Sequence, residues 1–340
     1  MHRCLSLAKL GAGNVAPNPM VGAVLVHNHR IIGEGYHIKY GEAHAEVNCI
    51  NNVAETDRRL LQQATMYVSL EPCAHYGKTP PCADLIIRNN IPQVVIGCGD
   101  SFKEVAGKGI QKIQQAGIHV ITGVLQKEAI EINRRFFTFH QQQRPFIILK
   151  WAQSADNKIA AANYSRIAIS NDKTNRLVHK WRSEEAAIFV GTNTALNDDP
   201  SLTTRYWKGQ DPVRLVIDTA LKLPATLKLF DESVNTIVFN NSREVQGKIT
   251  FCRITGEQDY LEQVMQRLYE LNIQSVLVEG GTRLLQSFID SDLWDEARVI
   301  TNDSLQVPGG ILAPELTNQG LESTEQIFSD TIRYYKHHLI

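Results

Sequence analysis

The chain has 340 residues, 43% of them hydrophobic, and a formal net charge of −1. That length suggests two domains, with enough apolar side chains to fill two cores. A charge so near zero gives no general pull toward nucleic acid or an anionic membrane, and no apolar run is long enough to span a bilayer. The start, Met1-His2-Arg3-Cys4-Leu5, lacks the pattern of a signal peptide. Six cysteines are too sparse for a small disulfide framework, so reduced thiols in a cytoplasmic setting are expected.

In chain order, residues 5–10 predict a short amphipathic helix ending at Gly11. The loop Ala16-Pro17-Asn18-Pro19 follows. Its prolines hold Asn18 extended, which suits either presenting an amide or closing an Asx-turn. Residues 21–26 and 31–36 predict two strands joined at Asn28-His29. A helix over 45–50, a strand over 65–70, a helix after Cys82, a strand over 93–97, a helix over 107–116 and a strand over 119–121 come next. Strands alternating with helices argue for an α/β layer sandwich. One helix from 127 to about 140 runs into Gln141-Gln142-Gln143-Arg144-Pro145. This polar run closes on proline and sets the domain boundary, giving 1–143 and 144–340.

The first domain is organised around His44-Ala45-Glu46, Glu71-Pro72-Cys73 and Pro80-Pro81-Cys82. One imidazole and two thiols can hold a zinc ion and leave its fourth position to water, the catalytic rather than the structural pattern. Glu46 is the expected proton carrier, and the set follows the signature of the zinc deaminases of bases and nucleotides. The commonest form of that signature has its cysteines two residues apart, whereas Ala74 to Pro81 intervene here. Both sulfurs still reach one ion if helix starts present them, and Pro81 suits a first helical position. A helix N-terminus also favours the thiolate. Each of these residues alone reads as an ordinary buried thiol or histidine; the ordered set reads as a metal site. His75 is a rival ligand or a substrate contact.

Beyond the boundary, residues 146–150 predict a buried strand. Further strands are expected at 187–190, 213–217, 236–239 and 275–278, apolar enough to be covered on both faces. Val278-Glu279-Gly280-Gly281-Thr282 is strand, glycines, then helix. This is either a tight turn or a phosphate cradle. No G-x-G-x-x-G follows the first strand, which disfavours a Rossmann domain. The polar cluster from Gly191 to Arg205 either caps a helix or lines a cofactor cleft. Arg182 and Arg205 are candidate phosphate forks, or else solvated surface groups.

The segments His44-Ala45-Glu46-Val47-Asn48, Glu71-Pro72-Cys73-Ala74-His75-Tyr76-Gly77-Lys78-Thr79-Pro80-Pro81-Cys82 and Asn197-Asp198-Asp199-Pro200-Ser201-Leu202-Thr203 resemble the bifunctional riboflavin-biosynthesis deaminase/reductase family. The resemblance implies a cytidine-deaminase-like α/β/α sandwich followed by a dihydrofolate-reductase-like α/β domain. It implies zinc-dependent deamination of 2,5-diamino-6-ribosylamino-4(3H)-pyrimidinone 5′-phosphate. NADPH-dependent reduction of the product's ribosyl group to ribityl would follow. It assigns zinc to His44, Cys73 and Cys82, proton transfer to Glu46, and deaminase substrate contacts to Asn18, His75 and Lys78. Cofactor contacts fall on Ala152, Thr194, Asp198, Thr219 and Gly281. Reductase substrate contacts fall on Arg166, Arg182, Leu202, Arg205 and Glu279; apart from the resemblance, Glu279 reads either as a proton donor or as a structural residue. Small-molecule substrates, a homo-oligomer and no nucleic-acid or membrane partner are expected. Two departures stand out: Ala168 occupies the family's tryptophan position, and Arg166 its substrate serine. Relative to the family the chain also starts a few residues late, so a shortened first helix is expected. The rival readings are a deaminase of another nucleoside or of tRNA with an unrelated or degenerate tail, and a non-catalytic zinc- and nucleotide-binding module.

Overall fold

A computed structural model describes residues 1–76, 80–100, 106–165, 167–255 and 259–338. The chain divides into two compact units, Met1–Gln143 and Arg144–Ile340.

The first unit runs α1 (His2–Ala8), β1 (Gly22–His27), β2 (Arg30–Tyr36), α2 (Ala45–Asn51), β3 (Thr65–Leu70), α3 (Cys82–Arg88), β4 (Gln93–Cys98), α4 (Lys108–Gln115), β5 (His119–Ile121), α5 (Gln126–Ile132) and α6 (Arg134–Gln142). Among the described residues its sheet has the order β2-β1-β3-β4-β5. The β1–β2 pair is a hairpin whose turn residues Asn28 and His29 are both left-handed, at φ 46° and 61°. That geometry matches the right-handed twist of the strands it joins. β1 and β3 are antiparallel, while β3, β4 and β5 are parallel. One face of the sheet packs Leu25, Met66 and Ile96 against Ile50 of α2, Ile86 of α3 and Ile113 of α4. The other carries Val24 and Tyr67, packed with Cys4 and Leu7 of α1, and at the strand ends Leu70 and Cys98 cluster with Leu5 of α1, Ala129 of α5 and Phe136 of α6. Helices thus cover both faces of the sheet.

Two local expectations are corrected. The helix expected over 127–140 is two helices, because the buried Asn133 interrupts it. Its Oδ1 accepts from the Met20 N–H at 2.7 Å and its Nδ2 donates to the Met20 carbonyl at 2.9 Å. An asparagine amide here imitates a strand partner, at the expense of helical continuity. Pro81 is the residue before α3 rather than its first, at φ −57° and ψ 137°, so Cys82 itself opens the helix.

The second unit runs β6 (Phe146–Ser154), β7 (Lys158–Ala160), α7 (Asp172–Glu184), β8 (Ala187–Val190), α8 (Thr192–Asp198), β9 (Val213–Ile217), β10 (Thr236–Asn240), β11 (Ile249–Arg253), α9 (Tyr260–Glu270), β12 (Ser275–Val278), α10 (Thr282–Asp290), β13 (Glu296–Asn302), β14 (Ile311–Leu312), β15 (Gln319–Ile327) and β16 (Asp330–His337). Among the described residues its main sheet is ordered β11-β10-β9-β8-β12-β6-β13-β16-β15. It is parallel from β11 through β13 and antiparallel across β13, β16 and β15. Leu149, Phe189, Leu215 and Val278 pack against α9 and α10 on one face. Ile148, Leu277 and Ile300 pack against Val178 and Trp181 of α7 on the other. The carboxyl ends of parallel strands leave a crevice where such sheets take their ligands.

Candidate active sites

In the first unit, His44 is the residue before α2, Cys73 follows β3, and Cys82 opens α3. Their ligand atoms lie within 4.8 Å of one another. His44 Nδ1 is 3.6 Å from Cys73 Sγ and 3.4 Å from Cys82 Sγ. Zinc bonds of roughly 2.3 Å to sulfur and 2.0 Å to nitrogen, at tetrahedral angles, place the two atom types about 3.5 Å apart. The three side chains therefore fit that ion.

The electrostatics agree. The hydrogen bond from the Cys82 thiol pulls Cys73 down to about 4, against burial and with help from His44. The same bond, with burial, pushes Cys82 up. The lowered Cys73 thiol is the readier thiolate of the pair, and a divalent cation held between the sulfurs would favour both as thiolates. The Cys82 main-chain N–H adds a hydrogen bond to Cys73 Sγ at 3.3 Å. Glu46 lies in the first turn of α2 and is 3% exposed. Burial first, then the Cys73 charge, pushes its carboxyl up to about 6. That value suits a group that takes and returns a proton near neutrality. His75 is exposed and stands apart from the ligand group. Lys78 lies outside the described residues.

Three side chains that motif reading passed over support this site. Glu71 is buried, and among the described residues its carboxylate accepts four main-chain N–H groups. These are Asp100 and Gly107 on Oε2, at 3.2 and 3.0 Å, and Gly109 and Ile110 on Oε1, at 3.0 and 3.2 Å. It caps the first turn of α4 from another part of the chain. Gly109 is required there, since a Cβ would collide with the Pro72 carbonyl oxygen. Asn133 anchors Met20, two residues from Asn18. His37 is 2% exposed, and burial lowers its pKa. Its Nε2 is 3.2 Å from Asn18 Nδ2, its Nδ1 is 3.1 Å from the Ala43 carbonyl, and its ring meets that of His44 edge-on. A glutamate before Pro-Cys was the one available clue among these.

In the second unit, a cavity of about 1080 Å³ opens at the ends of β6, β8, β9 and β12. Ala152, Thr194, Asp198, Glu279 and Gly281 line it, as do Lys150, Tyr164, Ile167 and Ala168. Gly281 precedes α10, and a Cβ there would come 3.0 Å from Thr194 Oγ1. A Cβ on Gly280 would come 2.6 Å from both Gly191 N and Val190 Cα. The glycines let two backbones meet beside a helix N-terminus, a setting that fits the phosphates of a dinucleotide. Thr219 is exposed just past β9, and its carbonyl accepts from Asn241. Arg166 lies outside the described residues.

Arg182 grips Glu279 bidentately, with Nε and Nη2 each 2.8 Å from a carboxylate oxygen, and Lys150 Nζ stands 3.7 Å away. Burial pushes the Glu279 carboxyl up, but the charges of Arg182 and Lys150 outweigh it and hold the group at about 2. An anion so held does not donate protons at neutral pH, so of the two roles open to Glu279, proton donor or structural residue, the ion pair favours the structural one. Arg182 Nη1 also reaches the Thr203 carbonyl at 3.3 Å, and Arg205 Nη1 the Thr203 hydroxyl at 3.1 Å. His179, lowered to about 4 by burial and then by Arg182 and Arg205, accepts the Arg205 main-chain N–H on Nδ1. The Leu202 side chain is packed with Val190, Val216 and Val238. Ser154 Oγ donates to Asp156 Oδ1 at 2.6 Å and closes the turn after β6.

Residues 1–98 match the model of the cytidine and deoxycytidylate deaminase zinc-binding region, and residues 145–320 match the RibD C-terminal domain. A riboflavin biosynthesis protein RibD of Aquifex aeolicus is 38% identical over 327 residues, spanning 94% of this chain and 88% of that protein. The chain belongs to the RibD family of riboflavin-biosynthesis proteins. Like the rest of the RibD family, it joins a zinc-binding deaminase to a reductase that uses NADPH. The RibD protein of Bacillus amyloliquefaciens is 37% identical over 338 residues, 96% of this chain and 90% of its own. Among solved structures, a diaminohydroxyphosphoribosylaminopyrimidine deaminase/5-amino-6-(5-phosphoribosylamino)uracil reductase of Thermotoga maritima is similar. It is 35% identical, covers 99% of this chain and 97% of that one, and superposes with a TM-score of 0.88. A RibD of Acinetobacter baumannii, 30% identical over 98% of this chain and 97% of its own, gives 0.89.

Proposed function

We propose that residues 1–143 deaminate 2,5-diamino-6-ribosylamino-4(3H)-pyrimidinone 5′-phosphate. Residues 144–340 then reduce the ribosyl group of 5-amino-6-(5-phosphoribosylamino)uracil to ribityl. The observation that carries this reading is the spacing of one imidazole and two sulfurs at tetrahedral edges of 3.4 and 3.6 Å, beside a buried glutamate.

His44, Cys73 and Cys82 would hold zinc, which supplies the Lewis acidity that makes water a nucleophile at neutral pH. Glu46 would take one proton from water and pass it to the ring nitrogen, then take a second from the hydroxyl of the adduct and give it to the amino group, which leaves as ammonia while the carbonyl forms. Asn18, His75 and Lys78 contact the pyrimidine and its phosphate. In the second unit, Gly281, Thr194, Asp198, Ala152 and Thr219 hold NADPH, which supplies hydride to the sugar C1. Arg166, Arg182, Leu202, Arg205 and Glu279 place the ribosyl phosphate against it. The Arg182–Glu279 pair fixes the guanidinium plane, leaving it ready for polar groups of the sugar.

Small-molecule substrates in the cytoplasm, without nucleic acid or membrane, belong to the same reading; a net charge of −1 gives no general pull toward a polyanion or an anionic membrane. Family membership supports a homo-oligomer. The test is ammonia release from the diaminopyrimidine ribosyl phosphate, followed by NADPH oxidation read at its absorbance band. Neither product forming with zinc-replete protein refutes the assignment.

A further inference from the structure

Three groups in the first unit form a line: the Ala43 carbonyl, the His37 ring and the Asn18 amide. The two contacts measure 3.1 and 3.2 Å. For a neutral ring their chemistry leaves one consistent pattern. A carbonyl oxygen only accepts, so His37 Nδ1 must carry the ring proton. A neutral imidazole with hydrogen on Nδ1 has a bare Nε2. Nε2 therefore accepts, and the atom of Asn18 facing it must be the NH2 group.

We infer that His37 is a positioning residue that sets the orientation of the Asn18 amide, so that position 18 offers substrate a carbonyl oxygen rather than an NH2. The class of group read there is an N–H donor, such as an exocyclic amine or a protonated ring nitrogen of an aminopyrimidine.

Independent anchors hold both ends of the line. Ala43 directly precedes His44, and its carbonyl also accepts from Asn48 Nδ2 at 3.3 Å. Asn18 sits between two prolines, its N–H bonded to the Val15 carbonyl at 2.8 Å. Met20 beyond it is held on both main-chain atoms by Asn133. With its neighbours fixed, the amide retains one freedom, the half-turn that exchanges oxygen and nitrogen, and His37 removes it. The ring thereby ties recognition of the base to the backbone that carries the metal ligand. A pocket preset in this way recognises a donor without reorganising when substrate arrives.

This inference rests on the proposed deaminase activity for its functional meaning, but its structural core can be read separately. In the intact, zinc-replete protein labelled with 15N-histidine, long-range 1H–15N correlation reports which ring nitrogen of His37 bears hydrogen. Hydrogen on Nδ1 with a bare Nε2 is expected; hydrogen on Nε2 overturns the assignment. Asn18→Asp faces Nε2 with acceptors only, and should move a proton onto it; an unchanged ring would count against the contact. In steady-state ammonia release, His37→Phe should raise KM about tenfold or more, with zinc content unchanged. His37→Gln, whose side-chain oxygen stands near the Nε2 position, should recover most of the loss. Equal impairment of the two variants at full zinc content would show that the ring only fills space. If the wild-type protein releases no ammonia from the diaminopyrimidine ribosyl phosphate, the proposed activity fails, and the ring spectrum still decides the orientation.

Discussion

Replacing Glu71 with glutamine should loosen the start of α4 and, through it, the loop that carries Cys73. Among the described residues the carboxylate accepts four N–H groups, two on each oxygen. Glutamine keeps one oxygen and puts an NH2 where the other stood, so two N–H donors face a donor whichever way the amide turns: the buried Gly109 with the half-buried Ile110, or the half-buried Asp100 with the exposed Gly107. A buried donor left without an acceptor costs about 1–3 kcal/mol, and partly solvated ones fall at the low end, giving roughly 2 kcal/mol for the pair. At 1.4 kcal/mol per factor of ten, amide hydrogen exchange at Gly107, Gly109 and Ile110 should accelerate about thirtyfold. Zinc affinity should fall roughly ten- to hundredfold, as it does when groups behind metal ligands are removed. Exchange reads the site directly, which a global melt of a two-unit chain does not. Rates within about threefold of wild type at all three amides would show that the carboxylate does not cap the helix.

Other outcomes follow from the same geometry. Glu46→Gln should retain zinc by elemental analysis while ammonia release slows by about 10²–10⁴; undiminished turnover would remove Glu46 from proton transfer. Gly280→Ala pushes a methyl group against Gly191 N and Val190 Cα, both 2.6 Å away and both backbone. NADPH binding, followed by its fluorescence, should weaken about tenfold or more at an overpacking strain of roughly 1–3 kcal/mol. Glu279→Gln leaves Arg182 and Lys150 without their buried counter-charge and should destabilise the second unit by about 3–5 kcal/mol in urea. The folded Glu279 carboxyl, at about 2, lies below its ordinary value of about 4.3. Its stabilisation, roughly 3 kcal/mol, is complete above the ordinary value and is lost as pH falls through about 2. Acid unfolding followed by tryptophan fluorescence should show that slope in the wild type and a flattened one in the variant.

Much of the fold could be read along the chain where apolar periodicity was clean. Thr65–Leu70, Ala187–Val190, Val213–Ile217 and Ser275–Val278 are strands with the expected limits. The antiparallel end of the second sheet was not legible. β15 is Gln-Gly-Leu-Glu-Ser-Thr-Glu-Gln-Ile and largely exposed, with no buried face to impose alternation. β13 carries Glu296 and Arg298, which look like surface residues until they are seen bonded to each other in the interior. The candidate ligands His44, Cys73 and Cys82 formed a recognisable set because a metal restricts residue type and order. His37, Glu71 and Asn133 answer to no such restriction. Each acts through main-chain atoms far along the sequence, and folding alone reveals that distance. The missed break at Asn133 shows the same thing: helical propensity yields to two hydrogen bonds with Met20 that no local window contains.

A cation shared by residues 44, 73 and 82 closes two loops, spanning 29 and 9 residues. Such a clasp acts chiefly on the denatured ensemble, whose freedom it curtails. Its grip extends to the first unit alone. Heated in metal-poor buffer, the two units should melt at separate temperatures, and added zinc should raise the deaminase transition while leaving the reductase transition where it was.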